Sequence, residues 1–96
     1  MAALPQNNIS TALDRAYGKF SMVGGICGTW KVSISGNETS LYHYETRILS
    51  VDSNAVSYLA QTMSLSDENG CNSLLMLLGL NDRVRLRKGY AGLITA

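Results

Sequence analysis

The chain has 96 residues, 46% of them hydrophobic and 16% charged, with a formal net charge of +1. That length holds one domain, and the composition excludes a disordered chain, which lacks the apolar surface to offset its conformational entropy. The near-neutral balance excludes a global field that would draw the protein to nucleic acid or to an anionic membrane.

So few charges leave little polar surface for a monomer, so a homo-oligomer or a sizeable partner-binding face is expected. Cys27 and Cys71 lack the close CxxC spacing of zinc and redox sites. The N-terminus shows neither a basic region nor the apolar run of a secretory signal, so reduced thiols in a cytoplasmic protein are expected. In that setting the sequons Asn8-Ile9-Ser10 and Asn37-Glu38-Thr39 are chance matches. The longest uninterrupted apolar run, Leu74 to Leu78, is far short of the roughly 18 residues of a membrane span.

In chain order, residues 1–8 read as a flexible arm. A helix follows, capped by Ser10 or Thr11, with Ile9, Leu13, Ala16, Tyr17 and Phe20 on one stripe and Gly24-Gly25 as its stop. From Ile26 to Ser35 the period changes to two, with Ile26, Gly28, Trp30, Val32 and Ile34 on one face, which predicts a strand. Gly36-Asn37 is a turn signal, and Ser40 to Val51 reads as a second strand with Tyr42, Tyr44, Thr46 and Ile48 on one face. After the turn at Asp52-Ser53-Asn54, Val56 to Leu65 reads as a third. Ser66 to Gly70 reads as a polar loop. Asn72 or Ser73 then caps a short apolar helix through Leu78, stopped by Gly79 and closed by Leu80. Asp82 to Lys88 is a fourth strand, and the tail from Tyr90 extends it past Gly89. The expected architecture is α+β: a three-strand antiparallel meander plus a C-terminal strand, with both helices packed on one face.

The chemistry-bearing residues are few. His43, the one histidine, falls in mid-strand beside Leu41, Glu45 and Arg47 and is read as a surface or cross-strand residue. A nucleophile needs a base held by a third group, and no Cys27, Cys71, His43 and Glu45 set is prescribed by spacing, so no catalytic residue is assigned. Two distant cysteines and one histidine do not make a zinc site, and Asp67-Glu68-Asn69-Gly70 lacks the alternating ligands of a calcium loop. Gly24-Gly25-Ile26-Cys27-Gly28 follows a helix and enters a strand, the reverse of a phosphate loop. No cofactor or metal is expected.

The basic strand is the strongest signal. Arg83, Arg85 and Arg87 alternate and so share a face, with Lys88 beside them, and arginine forks suit phosphate or carboxylate. Tyr42 and Tyr44, with Tyr58, offer stacking platforms of the kind single-strand binders use. The plainer reading is a charged edge strand that blocks unwanted pairing, with tyrosines packed across the sheet.

Asp82-Arg83-Val84-Arg85-Leu86-Arg87-Lys88-Gly89 is similar to the opening strand of a KOW or SH3-like module, although the further strands of such a barrel do not follow before Ala96. Leu41-Tyr42-His43-Tyr44-Glu45-Thr46-Arg47-Ile48, with Asn72 and Leu74-Leu75 in a later helix, resembles small bacteriophage proteins built around an LYxYxT-hydrophobic strand. Those proteins carry a Thr-Thr and a His where this chain has Ser64-Leu65-Ser66-Asp67, so that histidine's role does not transfer. The resemblance implies a viral origin.

Together these readings lead to an expected function: a non-enzymatic phage-encoded interaction protein that inhibits a nucleic-acid-based defence factor in the host cytoplasm. Its partner is then a host protein or ribonucleoprotein, met through Arg83, Arg85, Arg87, Lys88, Tyr42 and Tyr44. A virion structural protein and a single-stranded nucleic-acid binder are the alternatives.

Overall fold

Five two-residue turns organise the chain, which the computed structural model describes over residues 5–17 and 24–95. Gly28-Thr29 joins β1 (Gly25–Cys27) to β2 (Trp30–Ser35), and Gly36-Asn37 joins β2 to β3 (Glu38–His43). Tyr44-Glu45 leads into β4 (Thr46–Asp52), and Ser53-Asn54 into β5 (Ala55–Leu59). The positive φ angles at Gly28, Gly36, Tyr44, Glu45, Ser53 and Asn54 mark primed turns, whose twist matches that of the strands they connect. The result is a five-stranded antiparallel meander in the order β1-β2-β3-β4-β5.

The α+β class holds, with more strands than the sequence pattern suggested. Two of the expected strands are hairpins: residues 26–35 fold as β1–β2 and residues 40–51 lie within β3–β4. A two-residue turn reverses the parity of the alternation. Cys27 therefore pairs with Trp30, Ile26 points away from the core, and Tyr44 sits in a turn instead of sharing a strand face with Tyr42.

Helix α1 (Pro5–Ala16) starts earlier than expected, so residues 5–8 belong to it and not to an arm. Proline suits a first helical turn because its missing N–H has no intrahelical acceptor there. Ser10 and Thr11 lie inside α1, where the Thr11 hydroxyl donates back to the Asn7 carbonyl at 3.0 Å. Of the predicted stripe, Ile9, Leu13 and Ala16 are buried and Tyr17 is exposed; Phe20 lies outside the described residues.

Helix α2 (Leu65–Leu77) opens eight residues before the predicted cap. Ser64 and Asp67 form a reciprocal capping box: Asp67 N–H donates to Ser64 Oγ at 3.1 Å, and Ser64 N–H to Asp67 Oδ2 at 3.0 Å. The C-terminus closes as the sequence indicated. Gly79 has φ +78°, and Leu80 N–H donates to the Leu75 carbonyl at 2.9 Å.

Both helices cover one face of the meander, where Ile9, Ala12, Leu13 and Leu74, Leu75 meet Trp30, Val32, Leu41 and Leu49. Close approach requires glycine where each helix meets the sheet. A Cβ on Gly25 would fall 1.8 Å from the Ala12 carbonyl of α1, and one on Gly70 would fall 2.2 Å from the Trp30 ring. The exposed edge of β1 is capped by α1, where Arg15 Nη1 donates to the Ile26 carbonyl at 2.5 Å.

The last segment is a separate two-stranded sheet. β6 (Asp82–Arg87) pairs antiparallel with β7 (Tyr90–Thr95) through Lys88-Gly89, so the tail folds back and does not extend β6. The hairpin joins the main body through a Thr62–Tyr90 bridge and through α2. No helix among the described residues is long and apolar enough to cross a membrane.

Candidate functional site

The alternation of β6 divides its side chains as expected, with Val84 buried and Arg85 and Arg87 exposed. Arg83 departs from the set. It is half-buried, and its Nη1 donates to the Leu80 and Asp82 carbonyls at 2.6 and 2.7 Å, which clasps the α2–β6 connection. Arg85 and Arg87 line a groove of about 280 Å³ with Tyr90, Gly92, Leu93 and Ile94, while Lys88 sits at the hairpin tip with φ +52°. Tyr90, Leu93 and Ile94 are 59%, 44% and 46% exposed, so this surface mixes guanidinium groups with apolar area.

The reading of β6 as a guarded edge meets a specific obstacle. The outward N–H and C=O of Val84 bond to the Asn72 side chain at 2.7 and 3.0 Å, and Leu86 N–H donates to Glu68 Oε2 at 2.8 Å. Two α2 side chains thus occupy the edge that the arginines would otherwise have to protect. On the β7 side, Ala91 N–H donates to the Gln61 carbonyl at 2.9 Å and Met63 N–H to the Gly89 carbonyl at 3.2 Å, the two bonds of the Thr62–Tyr90 bridge.

The two tyrosines are not brought to the hairpin as one surface. Tyr42 lies on the helix-free face of the meander, in a cross-strand row Ile26–Lys31–Tyr42–Arg47. Lys31 Nζ stands 4.5 Å from the Tyr42 ring centroid, and the Arg47 guanidinium 4.1 Å from that of Tyr58. Below them Ser40 and Ser50 bury a hydroxyl pair at 2.7 Å. Tyr44, in the β3–β4 turn, is 72% exposed and tilted against His43.

Of the two readings of His43, the surface one fails and the cross-strand one holds: it faces Trp30 across β2–β3. It ends β3, is 8% exposed, and stacks on Trp30 with centroids 3.7 Å apart and planes within 3°. Its Nδ1 meets Asp67 Oδ1 at 2.5 Å and its Nε2 meets Thr29 Oγ1 at 3.0 Å. Burial alone would raise the Asp67 carboxyl, but the Ser64 N–H, His43 and the Ser64 hydroxyl outweigh it and hold the group below 3.8. Composition places Asp67 in a loop, and only the Ser64-x-x-Asp67 box marks it as a helix start.

The cysteines play no part in this cluster. Both are free; Cys71 is buried, and burial, with Asp67 and Glu68 nearby, pushes its thiol up to about 12, so it stays protonated at neutral pH. Cys27 is half-buried, its Sγ 3.7 Å from Asn8 Oδ1. No group of three or more His, Cys, Asp or Glu side chains among the described residues is placed to hold a metal ion. Comparison with known protein families, curated proteins and solved structures finds no match to this chain.

Proposed function

We propose that the protein is a phage-encoded interaction protein that binds a host factor through the β6–β7 hairpin and occludes it. A nucleic-acid-based defence factor in the host cytoplasm is the partner named first. The viral origin rests on the resemblance carried by Leu41 to Ile48. The observation that carries the binding site is the exposure of Arg85, Arg87 and Lys88 beside Tyr90, Leu93 and Ile94 on a hairpin whose β6 edge is already satisfied. Arginine and aromatic residues around an apolar patch are the composition of protein-binding hot spots, and guanidinium forks add recognition of acidic groups.

The test is capture from bacterial lysate by the tagged protein, with and without nuclease, alongside an Arg85→Ala, Arg87→Ala, Lys88→Ala variant. One protein retained after nuclease by the native chain and lost from the variant supports the reading. Equal capture by both removes the hairpin from it.

A second reading has its own observation. The Lys31–Tyr42–Arg47 row with Tyr58 sets cations over aromatic rings on an open sheet face, as single-strand binders do. That reading requires steeply salt-dependent binding of an oligonucleotide, weakened by Tyr42→Ala and Arg47→Ala. Co-purification with virions and a stable oligomer would instead favour a virion component.

A further inference from the structure

The Thr29–His43–Asp67 cluster uses none of the hairpin residues to which binding is assigned above. We infer that Thr29 is a hydroxyl nucleophile, activated by His43 and oriented through Asp67, and that the groove beside it takes carboxylic esters of short apolar acids.

The hydrogen bonds run in one direction. Ser64 N–H fixes Asp67 Oδ2 at 3.0 Å, leaving Oδ1 to accept from His43 Nδ1 at 2.5 Å. An ionised carboxylate only accepts, so Nδ1 carries the proton, and in the neutral imidazole Nε2 offers its lone pair to the Thr29 hydroxyl 3.0 Å away. This is the connectivity of a nucleophile, a base and an orienting acid, assembled from a turn, a strand end and a helix start. The imidazole cannot easily swing out of line: one face is stacked on Trp30, whose six-membered ring is itself packed against Gly70 of α2.

Thr29 itself is exposed, and its carbonyl accepts the Tyr44 N–H at 2.9 Å, which ties the two turns together. Beside it lies a groove of about 350 Å³ with Ile26 and Tyr44 as apolar walls and Lys31 as the cation lining it. That volume suits a small acyl ester. The Gly28 and Thr29 N–H groups have no backbone acceptor among the described residues, so they and Lys31 are the groups available to a developing oxyanion.

In the step, Thr29 Oγ1 attacks the ester carbonyl carbon while its proton passes to His43 Nε2. The tetrahedral adduct collapses, the bond to the leaving alkoxide breaks, and that oxygen takes the proton from His43. Water, losing a proton to the same nitrogen, then attacks the Thr29 ester; the acyl–Oγ1 bond breaks, His43 returns that proton to Thr29 Oγ1, and the acid leaves. Water is the only co-reactant.

The experiment treats the full chain with a fluorophosphonate, which captures activated hydroxyls as fluoride leaves. Intact mass and peptide mapping read the adduct. Hydrolysis of p-nitrophenyl acetate is followed in parallel, with circular dichroism as the check on folding. A single adduct on Thr29 is expected, absent from Thr29→Ala and kept in Thr29→Ser, whose primary hydroxyl is less hindered. Ester hydrolysis should fall roughly 100-fold in His43→Gln and in Thr29→Ala. Because Thr29 lies exposed in a turn, its alanine variant should stay folded even if His43→Gln does not. No adduct on the native protein, or an adduct and hydrolysis that persist in Thr29→Ala, would overturn the inference and leave His43 and Asp67 as a clasp between α2 and the sheet.

Discussion

Trp30 shows how much of this fold rests on single side chains. Its indole stacks on the His43 ring and packs closely against α2 at Gly70, the residue that admits it. Alanine is intrinsically better than glycine in a helix by about 1 kcal/mol. Gly70→Ala should nevertheless destabilise the protein, by about 1–3 kcal/mol, since its Cβ would meet the indole carbons. A lowered urea midpoint at unchanged slope is the expected readout; a raised midpoint would mean that the indole moves aside freely. Asp67 gives a pH dependence with a definite sign. Its carboxyl is held below 3.8 in the folded state, so its contribution is present above that value and is lost as pH falls through the lower native pKa. Asp67→Asn should therefore unfold more readily at neutral pH, with the gap to the native protein closing in acid below about 3.8. Parallel unfolding curves measured at pH 7 and in strong acid check this. None of these residue pairings was legible in the sequence, because Thr29, His43 and Asp67 are separated by fourteen and twenty-four positions and meet only when the meander and α2 are in place.

At the scale of elements, local chemistry was legible wherever one residue type dictates one geometry. The Gly79 stop, the Leu80 closure, the Gly36-Asn37 turn and the alternation in β6 follow from sequence directly. Two features hid the β3–β4 hairpin and the start of α2. The first is the turn at Tyr44-Glu45, where neither residue is the usual Asn or Gly although φ reaches +49° and +66°. An αL conformation disfavours residues with a Cβ by about 1–2 kcal/mol, so Glu45→Gly should stabilise the hairpin by about 0.5–1 kcal/mol. A higher thermal midpoint would bear this out, and a lower one would show that the Glu45 side chain has an unseen role. The second is the start of α2, where Asn69-Gly70 looks like a turn although Gly70 is there to receive the indole. Ser64→Ala, which removes one arm of the capping box, should lower stability by about 1 kcal/mol in the same assay.

For the molecule as a whole, the α+β layering and the position of the basic strand were legible from periodicity alone, since both depend on patterns that persist over several residues. What periodicity cannot show is that β6 leaves the main sheet, folds back through Lys88-Gly89 and leans its edge on Asn72 and Glu68. That placement separates the proposed binding surface from the core: Arg85, Arg87 and Lys88 are exposed, whereas Val84 on the opposite face of β6 is buried. It also withdraws Arg83 from the set, because its guanidinium is spent on the Leu80 and Asp82 carbonyls. On the proposed function, the exposed cations of the hairpin bind a partner while contributing little to the fold. The most direct measurement is the affinity of the purified protein for its captured partner, native chain against the Arg85→Ala, Arg87→Ala, Lys88→Ala variant, with thermal unfolding recorded on the same samples. The variant should lose affinity at least roughly tenfold, as removal of a hot-spot cation produces, with an unfolding midpoint within a few degrees of the native value. Undiminished affinity in a folded variant would contradict that proposal.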